Sequence, residues 1–306
     1  MIRLSSGRDV SVICRSAKAY SAAAKIDYQC ATNIAPEPVE WIWVDRIPRG
    51  KLTLLGGDPD QGKTLTALTI GATITRGGKW PDDSCAEIGN IIVLSAEDDA
   101  ADTLVPRLMA ADADMSKVFF IESVREPVGD ERGEIQRIFQ LERDLNILET
   151  MLQEIGGAAL IIIDVIDSDM GKTDTHRNAA VRAVLAPIKD FAARCKVAVL
   201  GLTHFSKDQT NRSPVLRFTG SIGFIGQARA GWVITPELDE EGEPTGRKLL
   251  VRAKGNLAPD PGGLGYRIET ATVGDDILAP RIVWDGVVNL NAAQTVRPGS
   301  KFYGCL

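Results

Sequence analysis

Eight consecutive residues, Gly57-Asp-Pro-Asp-Gln-Gly62-Lys63-Thr64, fit the pattern G-x-x-x-x-G-K-[ST]. Glycines in that pattern let the backbone double back, so that successive N–H groups point at phosphate oxygens. A helix starting at its end adds the positive end of its dipole. Lys63 is spaced to reach the β- and γ-phosphates, and the Thr64 hydroxyl to ligate magnesium. All eight positions, Asp58, Pro59, Asp60 and Gln61 included, are therefore candidate nucleotide-binding residues, with ATP and Mg2+ as the expected ligands. A bare Gly/Pro/Asp turn is the plainer alternative; an apolar strand before the pattern and a helix after it favour the phosphate loop. Asp60 puts a carboxylate in a loop built for anions, so it either faces outward or weakens affinity.

Three further candidates stand where apolar runs end. Leu160-Ile-Ile-Ile-Asp164 closes on a carboxylate, as a magnesium shell requires from a strand expected beside the phosphate loop. The alternative is that Asp simply favours the turn after a strand. Glu97, in Ser95-Ala-Glu-Asp-Asp99, follows the strand at Ile91 to Ser95, at the end where open α/β sheets bind ligands. It is placed to orient and deprotonate an attacking water, or else three acids there only answer a helix dipole. His204, in Thr203-His-Phe-Ser-Lys207, either hydrogen-bonds a γ-phosphate or is structural. The other histidine, His176, reads as a solvated loop residue.

These positions need a frame, and the apolar pattern supplies an alternating one. Strands are expected at Lys51 to Leu55, Asn90 to Ser95, Val118 to Ile121, Leu160 to Ile163 and Val197 to Leu202. Between them, helices are expected over Lys63 to Arg76, up to about Ala111, over the Leu141, Leu145, Leu148, Leu152 and Ile155 stripe, and over Val181 to Ala192. Alternation of this kind builds a mostly parallel twisted sheet flanked by helices. Trp232 to Ile234 and Lys248 to Val251 flank the acidic turn Glu237 to Gly246 as a hairpin, and Leu264 to Ile268 and Arg281 to Trp284 extend the antiparallel side. Nothing after Asn289 carries a clear pattern. The domain reading is an arm or linker over 1–38, an α/β domain carrying the phosphate loop over 39–270, which the resemblance given below makes a RecA-like ATPase domain, and a β-rich tail over 271–306 with an irregular end.

A chain of 306 residues, 44% apolar and 25% charged, can bury a substantial core. A net charge of -6 leaves nucleic acid binding to a local patch rather than to a basic coat. Cysteines at 14, 30, 85, 195 and 305 lack the close pairs of a zinc site and read as reduced thiols. No apolar run reaches the roughly 20 residues of a membrane span, so a soluble, cytoplasmic protein without membrane contact is expected.

Taken together, Gly57 to Thr64, Ser95-Ala-Glu97, Ile163-Asp164, Thr203-His-Phe-Ser-Lys207, Gly220-Ser221 with Arg229, and Ala253-Lys-Gly-Asn256 resemble the RecA-like ATPases of the RepA hexameric helicase type. Their order and spacing are similar to those of the AAA_25-type ATPases of plasmids, prophages and other mobile elements, over roughly Val39 to Glu269. The resemblance implies Glu97 as catalytic base, Asp164 in the magnesium shell and His204 as sensor of the γ-phosphate. It also implies a homo-oligomeric ring, usually of six, with Arg229 as a finger for the neighbouring site and Lys254 as a second cation. A surface arginine and an ordinary hairpin lysine are the plain alternatives.

Loops around Gly171 to Asn178 and Lys207 to Thr219 correspond to channel loops in that family. Their Lys172, Arg177, Lys207, Arg212 and Arg217 are candidate contacts to single-stranded DNA, or members of ordinary solvated loops. Two departures stand out: Asp60 occupies a position usually glycine, and the tail lacks the additional helices or primase-like domain that relatives often carry. The expected function is magnesium-dependent ATP hydrolysis driving a DNA helicase or translocase. A recombinase-like or regulatory ATPase that assembles without unwinding is the first alternative, and a small-molecule kinase the second.

Overall fold

Residues 160 to 163 show how the sequence builds two layers around one sheet. Leu160 and Ile162 pack into one apolar cluster with Leu65, Leu68 and Leu108, while Ile161 and Ile163 pack into another with Leu148, Leu185 and Phe191. Alternate side chains of a strand point to opposite faces, so a strand apolar at every position must be covered on both sides. The computed structural model of the chain describes residues 28–128, 133–166, 178–205, 222–290 and 292–295. Two units divide between Pro38 and Val39. The described part of the first holds a short 3-10 turn, Ala31–Asn33.

The second unit opens with β1 (Trp41–Trp43) and β2 (Ile47–Pro48), a small hairpin, followed by β3 (Leu52–Gly57) and α1 (Lys63–Arg76). Then come β4 (Ile91–Ser95), a π-helical turn at Ala100–Leu104 running into α2 (Val105–Ala110), and β5 (Val118–Phe120). A second hairpin, β6 (Val124–Val128) with β7 (Gly133–Arg137), precedes α3 (Leu145–Glu154), β8 (Leu160–Asp164), α4 (Asn178–Cys195) and β9 (Ala198–His204). The chain continues through α5 (Ile222–Gln227), β10 (Ala230–Leu238), β11 (Pro244–Gly255), β12 (Gly263–Val273), β13 (Ile277–Val288) and α6 (Ala292–Thr295).

Nine strands form one sheet in the order β13-β12-β11-β10-β3-β9-β8-β4-β5. The six from β10 to β5 run parallel, and β11, β12 and β13 add antiparallel strands at one side. This is the α/β class expected from the sequence, with its hairpin on the C-terminal side. Among the described residues no helix is long and apolar enough to cross a membrane.

Several local expectations change. Strand β9 lies between β3 and β8, so the strand carrying Asp164 is not the phosphate loop's neighbour as expected; β8 is buried throughout and β9 at every position but His204, and sequence pattern cannot order such strands within a sheet. The helix expected from Leu141 starts at Leu145, because Leu141 is buried from a turn rather than from a helix face. The β6–β7 hairpin was not expected: its strands carry Arg125, Glu126, Glu134 and Arg137, and side chains on β7 are mostly exposed. Arg137 holds it, 2.7 Å from Glu126 and 2.6 Å from Asp144. The division expected at 270 falls inside β12, which pairs with β13 from Gly263 to Val273. A short helix, α6, follows Asn289, where no pattern was legible.

The first hairpin is tied to the core by a buried arginine. Arg46 is 2% exposed, and its guanidinium lies 5.2 Å from the ring centres of Trp43 and Trp232. It donates to the carbonyls of Gly262 (2.8 Å) and Pro261 (3.3 Å), and a carboxylate oxygen of Asp82 lies 3.6 Å away. A buried guanidinium needs such partners, since each unmet N–H would cost about 1–3 kcal/mol.

Candidate active site

Strand β3 ends at Gly57 and α1 begins at Lys63, so the eight-residue motif lies at the carboxyl edge of the parallel strands. Two glycines are needed by geometry. A Cβ on Gly57 would stand 2.9 Å from the Ile234 carbonyl oxygen on β10, and Gly62 has φ +83 as it opens the helix. Asp60 also lies in the left-handed region, with φ 60, which Asp enters more readily than most residues.

Lys63 is buried, and its ammonium donates to the carbonyls of Gly57 (3.2 Å) and Asp58 (3.0 Å). Burial pushes its pKa down, while the charges of Asp164, Glu97, Asp58 and Asp60 oppose that. The Thr64 hydroxyl donates to Oδ2 of Asp164 at 2.6 Å, although the two residues are 100 positions apart. Helix α1 thus reaches across the intervening β9 to the end of β8. Asp164 is only 2% exposed. Burial first, and then the charges of Glu97 and Asp98, push its pKa up to about 6, against the Thr64 hydrogen bond and the Lys63 charge.

Glu97 and His204 meet at the same edge. His204 is the last residue of β9 and pairs in register with Gly57, and its Nε2 is 3.6 Å from Oε1 of Glu97. Ser95, at the end of β4, pairs with Asp164. The parallel registers therefore bring the phosphate loop, Asp164, Glu97 and His204 to one rim.

Arg229 and Lys254 are not at that rim. Arg229 directly precedes β10, and its backbone N–H donates to Leu52 at the start of β3 (2.9 Å). Along β3, Ala230 pairs with Thr53 and Ile234 with Gly57, so Arg229, one residue before Ala230, stands roughly 17 Å of strand away from the loop end. Lys254 pairs with Gly231 and donates to the carbonyls of Ile225 (2.5 Å) and Gly226 (3.2 Å). Burial, then the charges of Arg229 and Lys189, push its pKa down. Both cations share the rim opposite their own chain's phosphate loop. Lys172, Arg177, Lys207, Arg212 and Arg217 lie outside the described residues, as does His176.

Two neighbours of the loop were not foreseen. Lys248 on β11 donates to Oε1 of Gln61 at 2.9 Å, and Tyr266 on β12 shares a hydrogen bond of 3.1 Å with the Thr66 hydroxyl in the first turn of α1. Both sit in strands legible only as antiparallel extensions, and nothing local marks them as facing a loop about 190 residues earlier.

A strand, a glycine-bounded phosphate loop and a helix, set in a mostly parallel sheet with a carboxylate-ended strand two places away, define a P-loop nucleotide-binding fold. A family model described as an AAA domain, AAA_25, matches residues 29–210, more than half of the chain. The chain belongs to that family and is a P-loop ATPase. The matched stretch contains the phosphate loop, Glu97, Asp164 and His204, and stops before Arg229 and Lys254. A comparison with curated proteins finds no match.

Proposed function

We propose that the protein hydrolyses ATP with magnesium and couples that hydrolysis to movement on single-stranded DNA, as a ring-forming helicase or translocase of the RepA type. The observation that carries the hydrolytic part is the 2.6 Å contact between Thr64 and Asp164 at the rim shared with Glu97 and His204. A hydroxyl and a carboxylate are the hard oxygen donors magnesium prefers. Among the described residues no group of three or more His, Cys, Asp or Glu is arranged to hold a metal. Thr64 and Asp164 are the residues that would hold the ion from the protein side. When bound, magnesium would offset the negative charge between the β- and γ-phosphates.

The chain's own groups divide the rest of the work. Backbone N–H groups of Asp58 and of residues 60–63 cradle the phosphates, Pro59 having none to give, and the Lys63 ammonium exchanges its two carbonyl partners for phosphate oxygens. Glu97 orients a water for attack on the γ-phosphorus and takes its proton on a carboxylate oxygen. His204, beside Glu97 and level with Gly57, registers whether the γ-phosphate is present.

The motor part rests on the positions of Arg229 and Lys254. From the opposite rim they serve no phosphate in their own loop, but a neighbouring copy stacked rim to rim would receive them, and a finger of this kind is worth about 10³ to 10⁵ in rate. The DNA contact is supported by the resemblance and by the basic composition of the loops holding Lys172, Arg177, Lys207, Arg212 and Arg217. Two measurements test the proposal: mass in solution with magnesium and a non-hydrolysable ATP analogue, and ATP turnover with single-stranded DNA at low salt, where phosphate contacts are strongest. A multiple of the monomer and DNA-stimulated turnover are expected. A persistent monomer removes the motor, and assembly without DNA stimulation or unwinding of a forked substrate replaces it with a regulatory ATPase.

A further inference from the structure

The antiparallel side of the sheet does more than extend it. Lys248 on β11 pairs with Pro236 on β10 and with Tyr266 on β12, which places its side chain at the phosphate-loop end of the sheet. Its ammonium closes on Gln61, the residue next to Asp60. From β12, Ile268 approaches the same turn: a Cβ built on Gly62 would stand 3.3 Å from its Cδ1 methyl. The outer side of the loop is thus walled by two strands that follow it in the chain by 187 residues and more.

That wall answers a problem set by the loop's own sequence. Asp60 is exposed and adds a negative charge where a triphosphate must arrive, and like charges a few ångströms apart repel. Lys63, whose ammonium Asp60 also favours, is held on the Gly57 and Asp58 carbonyls. Among the described residues, Lys248 reaches the outer side, through Gln61. Burial disfavours its charge, and Asp60 is the neighbour that favours it.

We propose that Lys248 is a positioning residue of the nucleotide site, an ammonium that screens Asp60 and holds Gln61 so that a loop carrying a carboxylate still accepts a nucleoside triphosphate. This rests on the reading that the loop binds ATP. The role is electrostatic, so its effect grows with the number of phosphates and depends on Asp60. A lysine that only anchored a strand would show neither dependence.

Equilibrium titration with fluorescent ATP and ADP analogues in magnesium tests it, on the full chain and on K248M, K248R, D60G, D60G/K248M and K63A. K248M is expected to weaken ATP binding about fivefold and ADP binding less, the size of one partly screened charge interaction. K248R should recover most of the loss. In the D60G background the same lysine change should cost less than about twofold, since coupled residues lose their mutual contribution only once. The proposal is overturned if K248M binds ATP as the parent does, or if the loss is as large in D60G as in the parent. A fall in melting temperature without that dependence on Asp60 also overturns it, marking Lys248 as a strand anchor. Failure of the underlying reading looks different: the parent chain and K63A would then bind no triphosphate alike.

Discussion

At the scale of single residues, the informative one is Asp164, a carboxylate kept at 2% exposure with a pKa of about 6. Its ordinary value is 3.8, so between about pH 4 and pH 6 the folded chain holds a proton that the unfolded chain has released. Stability is therefore lost as pH rises through that interval and stays lower above it. An amide has no proton to lose and can still accept from the Thr64 hydroxyl. D164N is expected to be more stable than the parent by roughly 1–3 kcal/mol at pH 7.5 without metal or nucleotide, with little difference at pH 4. Thermal unfolding at the two pH values checks this, and an offset that does not grow with pH would sink it. The same variant should lose at least about a hundredfold in magnesium-dependent turnover if the carboxylate serves the metal. Much of this rim was legible from local signals: the loop is one continuous motif, and Glu97, Asp164 and His204 each end an apolar run. Lys248 and Tyr266 were not, since their meaning comes only from β11 and β12 folding back beside α1.

At the scale of elements, the β6–β7 hairpin shows what an apolar pattern misses. It is held by charge: Asp144, with 1% of its side chain exposed, accepts two bonds of 2.6 Å from Arg137 and one of 2.8 Å from the Gln140 N–H. Burial would raise the Asp144 pKa, but the Arg137 hydrogen bonds and the Gln140 N–H hold it below the usual carboxylate range. The stability this group contributes is present above its unfolded pKa, near 4, and is lost as pH falls through the lower folded value. D144A removes one of the two carboxylates that Arg137 contacts, Glu126 remaining at 2.7 Å, and is expected to cost about 1–2 kcal/mol at pH 7, and much less at pH 2. Urea unfolding at both pH values measures it; equal losses would mean that the ion pair is not what holds the hairpin. The strands were readable as unbroken apolar runs of strand length, and α1 from the glycines at its two ends. Strand order was not, because two equally apolar strands can exchange places without altering any local pattern, so nothing local shows that β9 stands between β3 and β8.

At the scale of the whole molecule, the parallel sheet has two rims that differ in kind: one carries the loop and its acids, the other Arg229 and Lys254. If neighbours share sites across these rims, K63A and R229A should each be nearly inactive alone. Mixed in equal amounts they should regain up to about a quarter of parental turnover, the share of random head-to-tail contacts pairing an intact loop with an intact arginine. Turnover no higher than the sum of the separate variants would exclude a finger in trans. The indoles supply a means of watching the loop itself. Trp80 stacks on Trp43 at 4.3 Å, Trp284 meets Trp43 edge-on at 6.4 Å, and Trp284 in turn meets Tyr266 at 5.2 Å. Since the Tyr266 hydroxyl bonds the first turn of α1, this aromatic relay joins the phosphate-binding helix to three of the chain's five tryptophans. Occupation of the loop is therefore expected to change the intrinsic indole fluorescence, an optical readout that needs no attached dye.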